Sequence, residues 1–253
     1  MTSSSEPGSR APDNSSPDPL PSSGQRLLAL SGVAFAVLLV FGWFLHGGDT
    51  PDYTATDEDW TNWADDNRSR SGIAAFLVLL AGFALLHFAA TIRDVMGSAE
   101  TTVPGAVQLG RVSFAGAVVG AAGIAMAIVM VAAATSEGAD ADPVVSRAVA
   151  GAASAGPYLV AAMGFAALLG AAGLLTLRSG VFPRWTGIVA LIGAVAFLIT
   201  LVTVIAGTGE DSVFGYGFLP GILALVIWSI ATSIAKYRAV ATTARGLGDK
   251  TAP

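Results

Sequence analysis

Apolar positions in this chain do not alternate with polar ones. They come in long unbroken runs, covering residues 27–46, 72–92, 112–134, 157–177, 186–207 and 217–235. Each run is about 20 residues, which at 1.5 Å per residue crosses the ~30 Å of hydrocarbon in a bilayer. A lipid-facing barrel strand would alternate at every second residue, so the runs argue against a transmembrane β-barrel. The pattern predicts an all-α fold, a polytopic membrane helical bundle of six transmembrane helices. The third run, mostly Ala, Gly and Val, is the weakest of the six. The first is too long for a signal-peptide core and is expected to act as an uncleaved signal anchor.

The polar stretches divide the chain further. Residues 1–25 are rich in Ser, Pro and Asp and carry little to bury, which predicts a disordered tail. The transmembrane domain is expected over 26–238, and a flexible C-terminal tail over 239–253. Between the first two runs stands "YTATDEDWTNWADDNRSRSG", Tyr53 to Gly72, and seven of the chain's 18 acids fall between Asp49 and Asp66. Thr56 followed three residues later by Asp59 reads as a helix start, and Asp57, Glu58 and Asp59 place negative charge in a first turn where it complements the dipole. Wound at about 100° per residue, the acids of 57–66 share one side, and Trp60, Trp63 and Ala64 share the other. This predicts a short surface helix over the bundle mouth. Its acids face water and its tryptophans sit at the interfacial level. A divalent-cation or cationic-ligand site is the competing reading of the same acids, although the stretch lacks the spacing and turn glycine of a calcium loop.

Composition narrows the class. Of 253 residues 53% are hydrophobic and 12% charged, and the mean hydropathy is +0.66. A net charge of −5 supplies no basic face for nucleic acid, and the absence of cysteine removes disulfides, thiolate metal sites and lipidated thiols. Orientation follows from the cations. With six spans, ten Lys and Arg fall on the side of the two termini and three (Arg68, Arg70 and Arg147) on the other. Both termini are therefore expected in the cytoplasm and the protein in the cell membrane (bacterial inner membrane). Eleven arginines against two lysines, with abundant Ala and Gly, suit a high-GC bacterial genome.

Chemistry-bearing residues are few. No Asp, Glu, Lys or Arg lies inside any of the six runs, whereas ion-coupled transporters and proton relays ordinarily keep one at membrane depth. Two histidines remain. His46 and His87 lie near opposite ends of their runs, about 20 Å apart in depth, and cannot share one metal within a subunit. His87 is a candidate functional residue, and its plainer role is a hydrogen bond to a neighbouring helix. Tyr158, Thr200 and Thr203, with Trp228, are candidate pocket residues. No catalytic residue, cofactor or metal ligand set is predicted, and no nucleophile elbow, zinc motif or phosphate loop occurs. Gly116 and Gly120 on the third run and Gly217 and Gly221 on the sixth have the spacing that lets membrane helices approach closely, within the chain or across a homo-oligomer face. Gly164, Gly170 and Gly173 stud the fourth run. Pro157 and Pro183 suit helix starts, Pro220 is expected to kink the sixth helix, and Trp185 is expected at the interface.

The inner loop "LRSGVFPRWTG", Leu177 to Gly187, resembles an element of small multi-pass membrane proteins of unknown function from actinobacteria, in which a similar Arg-Gly-Pro-Arg-Trp-Gly stretch joins two late spans. The acidic loop before the second run and the "RDVMGSAE" loop after it are similar in layout. The resemblance implies a six-span membrane fold and no particular substrate. Three functions remain open: a non-catalytic accessory or small-molecule/lipid-interacting bundle, a permease for an uncharged or lipophilic solute, and a membrane enzyme using His87 or the outer acids. The lipid bilayer is the expected partner, with a homo-oligomer or a second membrane protein beside it.

Overall fold

A computed structural model describes residues 24, 28–46, 51, 54–97, 99, 103–136, 142–202 and 213–249. Among these residues there are seven helices and no strand: α1 (Ser31–His46), α2 (Asp57–Gly97), α3 (Ala106–Ala134), α4 (Pro143–Ala155), α5 (Pro157–Ser179), α6 (Arg184–Leu201) and α7 (Val213–Asp249). The expected disordered tail, apart from Gly24, lies outside the described residues, as does Thr203.

Five helical stretches are long and apolar enough to cross a membrane: α2, α3, α4 running on into α5, α6, and α7. The apolar helix α1 has 16 residues, about 24 Å at 1.5 Å each, with a short turn at Leu28–Leu30 before it. Successive long helices pack side by side, α1 on α2, α2 on α3, α3 on α5, α5 on α6 and α6 on α7, and α7 returns to touch α1. Large side chains face outward around this bundle. Phe44, Phe83, Phe41 and Phe76 are 76%, 63%, 62% and 60% exposed. A belt of that kind is an aggregation hazard in water and an ordinary surface in lipid.

Two expectations need correction. The stretch 57–66 is not a separate surface helix but the first turns of the 41-residue α2. Outside a bilayer a helix needs no apolar face all round, and nothing between Asn67 and Gly72 breaks it. The Asn67 side-chain amide donates to Trp63 O at 2.9 Å within the same turn. At the other end α7 runs on to Asp249, past residue 239 where a flexible tail was expected. It also continues through Pro220, which lies on an exposed face near its start.

The connections are tight where glycine permits. Gly180 ends α5 in the left-handed conformation (φ 66°), and its N–H donates to Thr176 O at 3.0 Å. The chain then buries Phe182 and restarts at Pro183, the N-cap of α6. Gly105 (φ 81°) plays the matching part before α3. The short helix α4 begins with Asp142, whose side chain accepts from Val144 N at 3.0 Å, followed by Pro143 in the first turn. It packs on the end of α3 and the start of α2.

Candidate functional site

The suspected pocket residues fall into two places. Tyr158 stands in the first turn of α5, and its ring meets Phe218 of α7 edge-on at 5.4 Å between centroids and Trp43 of α1 at 6.4 Å. Trp43 and Phe218 are 6.0 Å apart, Phe218 and Phe197 of α6 5.8 Å, and Phe197 and Phe165 of α5 5.4 Å. These are tilted and edge-to-face arrangements, the favoured geometries for aromatic pairs. Thr200 is buried beside this group, its hydroxyl donating to Ala196 O at 3.2 Å, one turn back on its own helix. A Cβ on Gly217 would stand 2.5 Å from Thr200 Oγ1, and one on Gly221 2.8 Å from the Phe197 ring. The two glycines therefore bring α7 against α6 and let Phe218 reach inward. Tyr158, Thr200, Gly217 and Gly221 thus share one neighbourhood filled by rings.

His87 is elsewhere. It is exposed on the outer side of α2, its ring edge-on to Phe83 at 4.6 Å, beside a shallow cleft shared with Leu28, Ser31 and Ala34. It makes no hydrogen bond to a neighbouring helix among the described residues. Trp228, buried against Phe88 at 5.3 Å, fills the α2–α7 contact. Sequence reasoning did not single out Trp43, Phe197 or Phe218, whose role depends on which helices become neighbours.

Gly116 and Gly120 belong to the α3–α5 crossing. A Cβ on Gly116 would lie 2.5 Å from Leu168 N and 2.6 Å from Gly164 O, and one on Gly120 would fall on the Phe165 ring. Seen from α5, a Cβ on Gly164 would strike the backbone of Gly120 and lie 2.7 Å from Gly116 O. Gly123 meets Ala161 and Pro157 in the same way. Here the two helices touch backbone to backbone.

The acidic stretch forms a cap at one end of the bundle. Trp60 and Trp63 are buried, 5.6 Å apart edge-on, in a small core with Ala64, Val131 and Ala134 of α3, and Ala150 and Ala153 of α4. All five acids of 57–66 face outward. The tryptophans thus bury themselves in protein, on the side of the helix opposite the acids. Arg147 of α4 ties the cap down. Its guanidinium donates to Ala55 O and to Asp57 Oδ1, both at 3.0 Å, and lies 5.8 Å from the centre of the Trp60 ring. Ser146 Oγ donates to Ala134 O at 2.7 Å across the α3–α4 junction. Thr56 Oγ1 accepts from Asp59 N at 3.2 Å while Asp59 Oδ2 accepts from Thr56 N at 3.1 Å and from Thr56 Oγ1 at 2.7 Å, a reciprocal cap. The bonds from Thr56 hold the Asp59 carboxyl below its ordinary value. Asp65 pairs with Arg68 at 2.9 Å. Three of the five acids, Asp57, Asp59 and Asp65, are thus engaged one by one with separate partners, and among the described residues no three potential ligands stand close enough to hold a metal ion.

At the opposite end Lys236 Nζ donates to Thr91 O at 3.3 Å, and Arg93 lies over the Phe114 ring at 5.7 Å. Trp185, in the first turn of α6, is 51% exposed and lines an open apolar cleft against α7. No family model, no curated protein and no solved structure matches this chain.

Proposed function

We propose that the protein is a six-span integral membrane bundle of the bacterial inner membrane that works without catalysis, as an accessory or small-molecule/lipid-interacting protein. The observation that carries this reading is the ring cluster of Trp43, Tyr158, Phe165, Phe197 and Phe218. It occupies the space between α1, α5, α6 and α7 where a permease would need a path for its solute. With α1 and its preceding turn counted, six helices are available to span, which puts both termini on one side. The cation split favours the cytoplasm for that side. The likeness of Leu177–Gly187 to small actinobacterial membrane proteins fits the same picture, and a homo-oligomer or a second membrane protein is a compatible partner.

Reconstitution tests the function. Proteoliposomes challenged osmotically with glycerol, urea or erythritol are expected to reswell at the rate of protein-free vesicles, and accelerated entry of any of them would favour the permease reading. Topology has its own test in this cysteine-free chain. Single cysteines at Thr61, Ser136 and Ser212 are expected to react with an impermeant thiol reagent on whole cells, and those at Ser5, Ser98 and Ser179 are not. Labelling at Ser179 overturns the six-span arrangement.

A further inference from the structure

The cleft between the start of α6 and the middle of α7 has the chemistry of a seat for an acidic lipid. Its walls are Pro183, Trp185, Ile227, Ile230 and Ile234, and Arg238 closes it at one end. Its volume is about 460 Å³. From Ile227 to Arg238 the wall of α7 runs about 16 Å at 1.5 Å per residue, deep enough for much of one acyl chain. Ile227 and Ile234 are 48% and 39% exposed, so the groove is open along its side.

Its two ends differ in kind. Toward Ile227 everything is hydrocarbon. Toward Arg238 stand an exposed guanidinium and the half-exposed indole of Trp185, and the exposed Arg184 adjoins Trp185 in the chain, outside the cleft's lining. Neither Arg184 nor Arg238 has an acidic partner among the described residues. Contrast Arg68 and Arg147, the paired cations of the opposite end. Tryptophan favours the level where hydrocarbon gives way to headgroups, and an arginine there presents a fork of donors that matches phosphate oxygens. The first turn of α6 adds to the field, since its N-cap, Pro183, offers no side-chain acceptor to its N–H groups. Basic pockets between membrane helices are known seats for acidic headgroups.

We propose that this groove holds one acyl chain of an anionic phospholipid along Ile227, Ile230 and Ile234, with its phosphate and net negative headgroup on Arg238 and Arg184 beside Trp185. A zwitterionic lipid fills the same apolar trough but brings its own cation to the arginines, so selectivity resides in the headgroup end and retention in the trough. The inference names a ligand class within the lipid-interacting reading above and rests on it.

Native mass spectrometry of the full chain in detergent, titrated with phosphatidylglycerol or with phosphatidylcholine of the same acyl chains, tests it. Phosphatidylglycerol is expected to bind with about tenfold preference, the scale of one or two charge-assisted contacts. The Arg184→Gln, Arg238→Gln double variant is expected to lose that preference while keeping residual binding of both lipids. Ala231→Phe, which fills the trough and leaves both arginines, is expected to lose binding of both. Arg184 and Arg238 are exposed and Ala231 is half-buried, and circular dichroism with gel filtration establishes that the variants are folded. Equal binding of the two lipids by the wild type overturns the proposal. So does an unchanged preference in the arginine variant. A preference that survives Ala231→Phe reduces the site to surface charge and overturns the seat. Vesicle flux distinguishes this failure from that of the broader reading. Selective lipid binding with facilitated solute entry removes the non-catalytic bundle and keeps the groove, and equal lipid binding without solute entry does the opposite.

Discussion

The α3–α5 crossing and the cap over the end of α3 hold the same helix by opposite means. At Gly116, Gly120 and Gly123 contact is made by taking side chains away, until the backbone of α3 lies on Gly164 and Ala161 of α5. A few turns later, at Val131 and Ala134, contact is made by inserting the two largest side chains available, Trp60 and Trp63. The surroundings explain the difference. Within hydrocarbon, lipid tails solvate Leu as well as protein does, so burying a large apolar group yields little, and close dispersion contact between backbones takes over. At the cap, a charged helical stretch stands where water is near, and hiding an indole from water contributes in the ordinary way. Small residues hold the crossing and large ones hold the cap, so each region should fail under the substitution the other tolerates.

The largest effect is expected at Gly164. Even alanine there puts a Cβ into the backbone of Gly120, which cannot swing aside as a side chain would. Gly164→Ala should cost more than the ~3 kcal/mol upper end of ordinary overpacking, and appear as loss of monodisperse protein in detergent. Gly170 on the same helix is the control. A Cβ there would lie 3.7 Å from Ala194 Cβ, an ordinary contact. Gly170→Ala should stay within about 1 kcal/mol of wild type, on the stabilising side through helix propensity. Equal melting temperatures for the two variants would remove the distinction between close and incidental glycines.

Next comes the cap. Trp60→Ala opens a cavity between α2, α3 and α4 and should cost about 3 kcal/mol, with the segment from Thr54 to Asn67 becoming sensitive to protease. Trp63→Ala should act in the same direction and less strongly, since Trp63 is the more exposed of the two, 8% against 1%. Asn at Asp57, Asp59 and Asp66 should leave the segment protected, because exposed charges contribute little each. Protection that appears only with calcium or magnesium, and is lost in the Asn variant, would reverse the roles of the two faces.

These two regions were legible in the sequence to different degrees. The amphipathic wheel over 57–66 separates buried from exposed residues as the structure does, because that pattern is local. That the helix continues into the second span was not legible. Arg68, Arg70 and Gly72 look like a loop to a hydropathy argument, although none of them ends a helix that has left the membrane. The helix α4 carries its own start signal in Asp142 and Pro143, an N-cap and a first-turn proline, but its 13 residues are too short to stand out as an apolar run. The glycine spacing on α3 suggested a close approach, but its partner, Gly164, is a property of the bundle. So is the ring cluster. Trp43, Tyr158, Phe197 and Phe218 lie on four helices, and nothing in their spacing states that they converge. His87 illustrates the reverse. A polar residue in an apolar run invited a functional role, and its exposed place on the outer side of α2 brings it near none of the other candidates.

Arg147 offers a smaller and sharper lever on the cap. It joins α4 to the start of α2 through Ala55 O and Asp57, and it leans on the Trp60 ring. Arg147→Met keeps much of the stem and removes the charge, and it should cost about 1 kcal/mol, with modest loosening of the cap. Asp57→Asn removes one of the two acceptors only in part and should cost less. If Arg147→Met loosens the cap as much as Trp60→Ala does, the region is held by charge rather than by burial, and the contrast with the α3–α5 crossing narrows.

The smallest expected effect lies at the very start of α2. Thr56 and Asp59 satisfy each other's orphan N–H groups, and Thr56→Ala should cost about 0.5–1 kcal/mol, the usual loss when a cap is removed. The pair also carries a pH signature. The folded-state carboxyl of Asp59 titrates below its ordinary value of 3.8 because Thr56 donates to its charged form. A depressed carboxyl contributes stability that is fully present above the unfolded value and is lost as pH falls through the folded one. Helix fraying at Thr56–Asp59, followed by hydrogen exchange, should therefore grow only as the solution is taken below the ordinary carboxylate range. Thr56→Ala should abolish most of that dependence, since the donors that stabilise the charged form are reduced to one backbone N–H. Trp60 and Trp63 should remain protected throughout, because their burial does not titrate. Exchange at the tryptophans that rises together with exchange at Thr56 would mean that the capping pair, and not the buried rings, fixes this end of the helix.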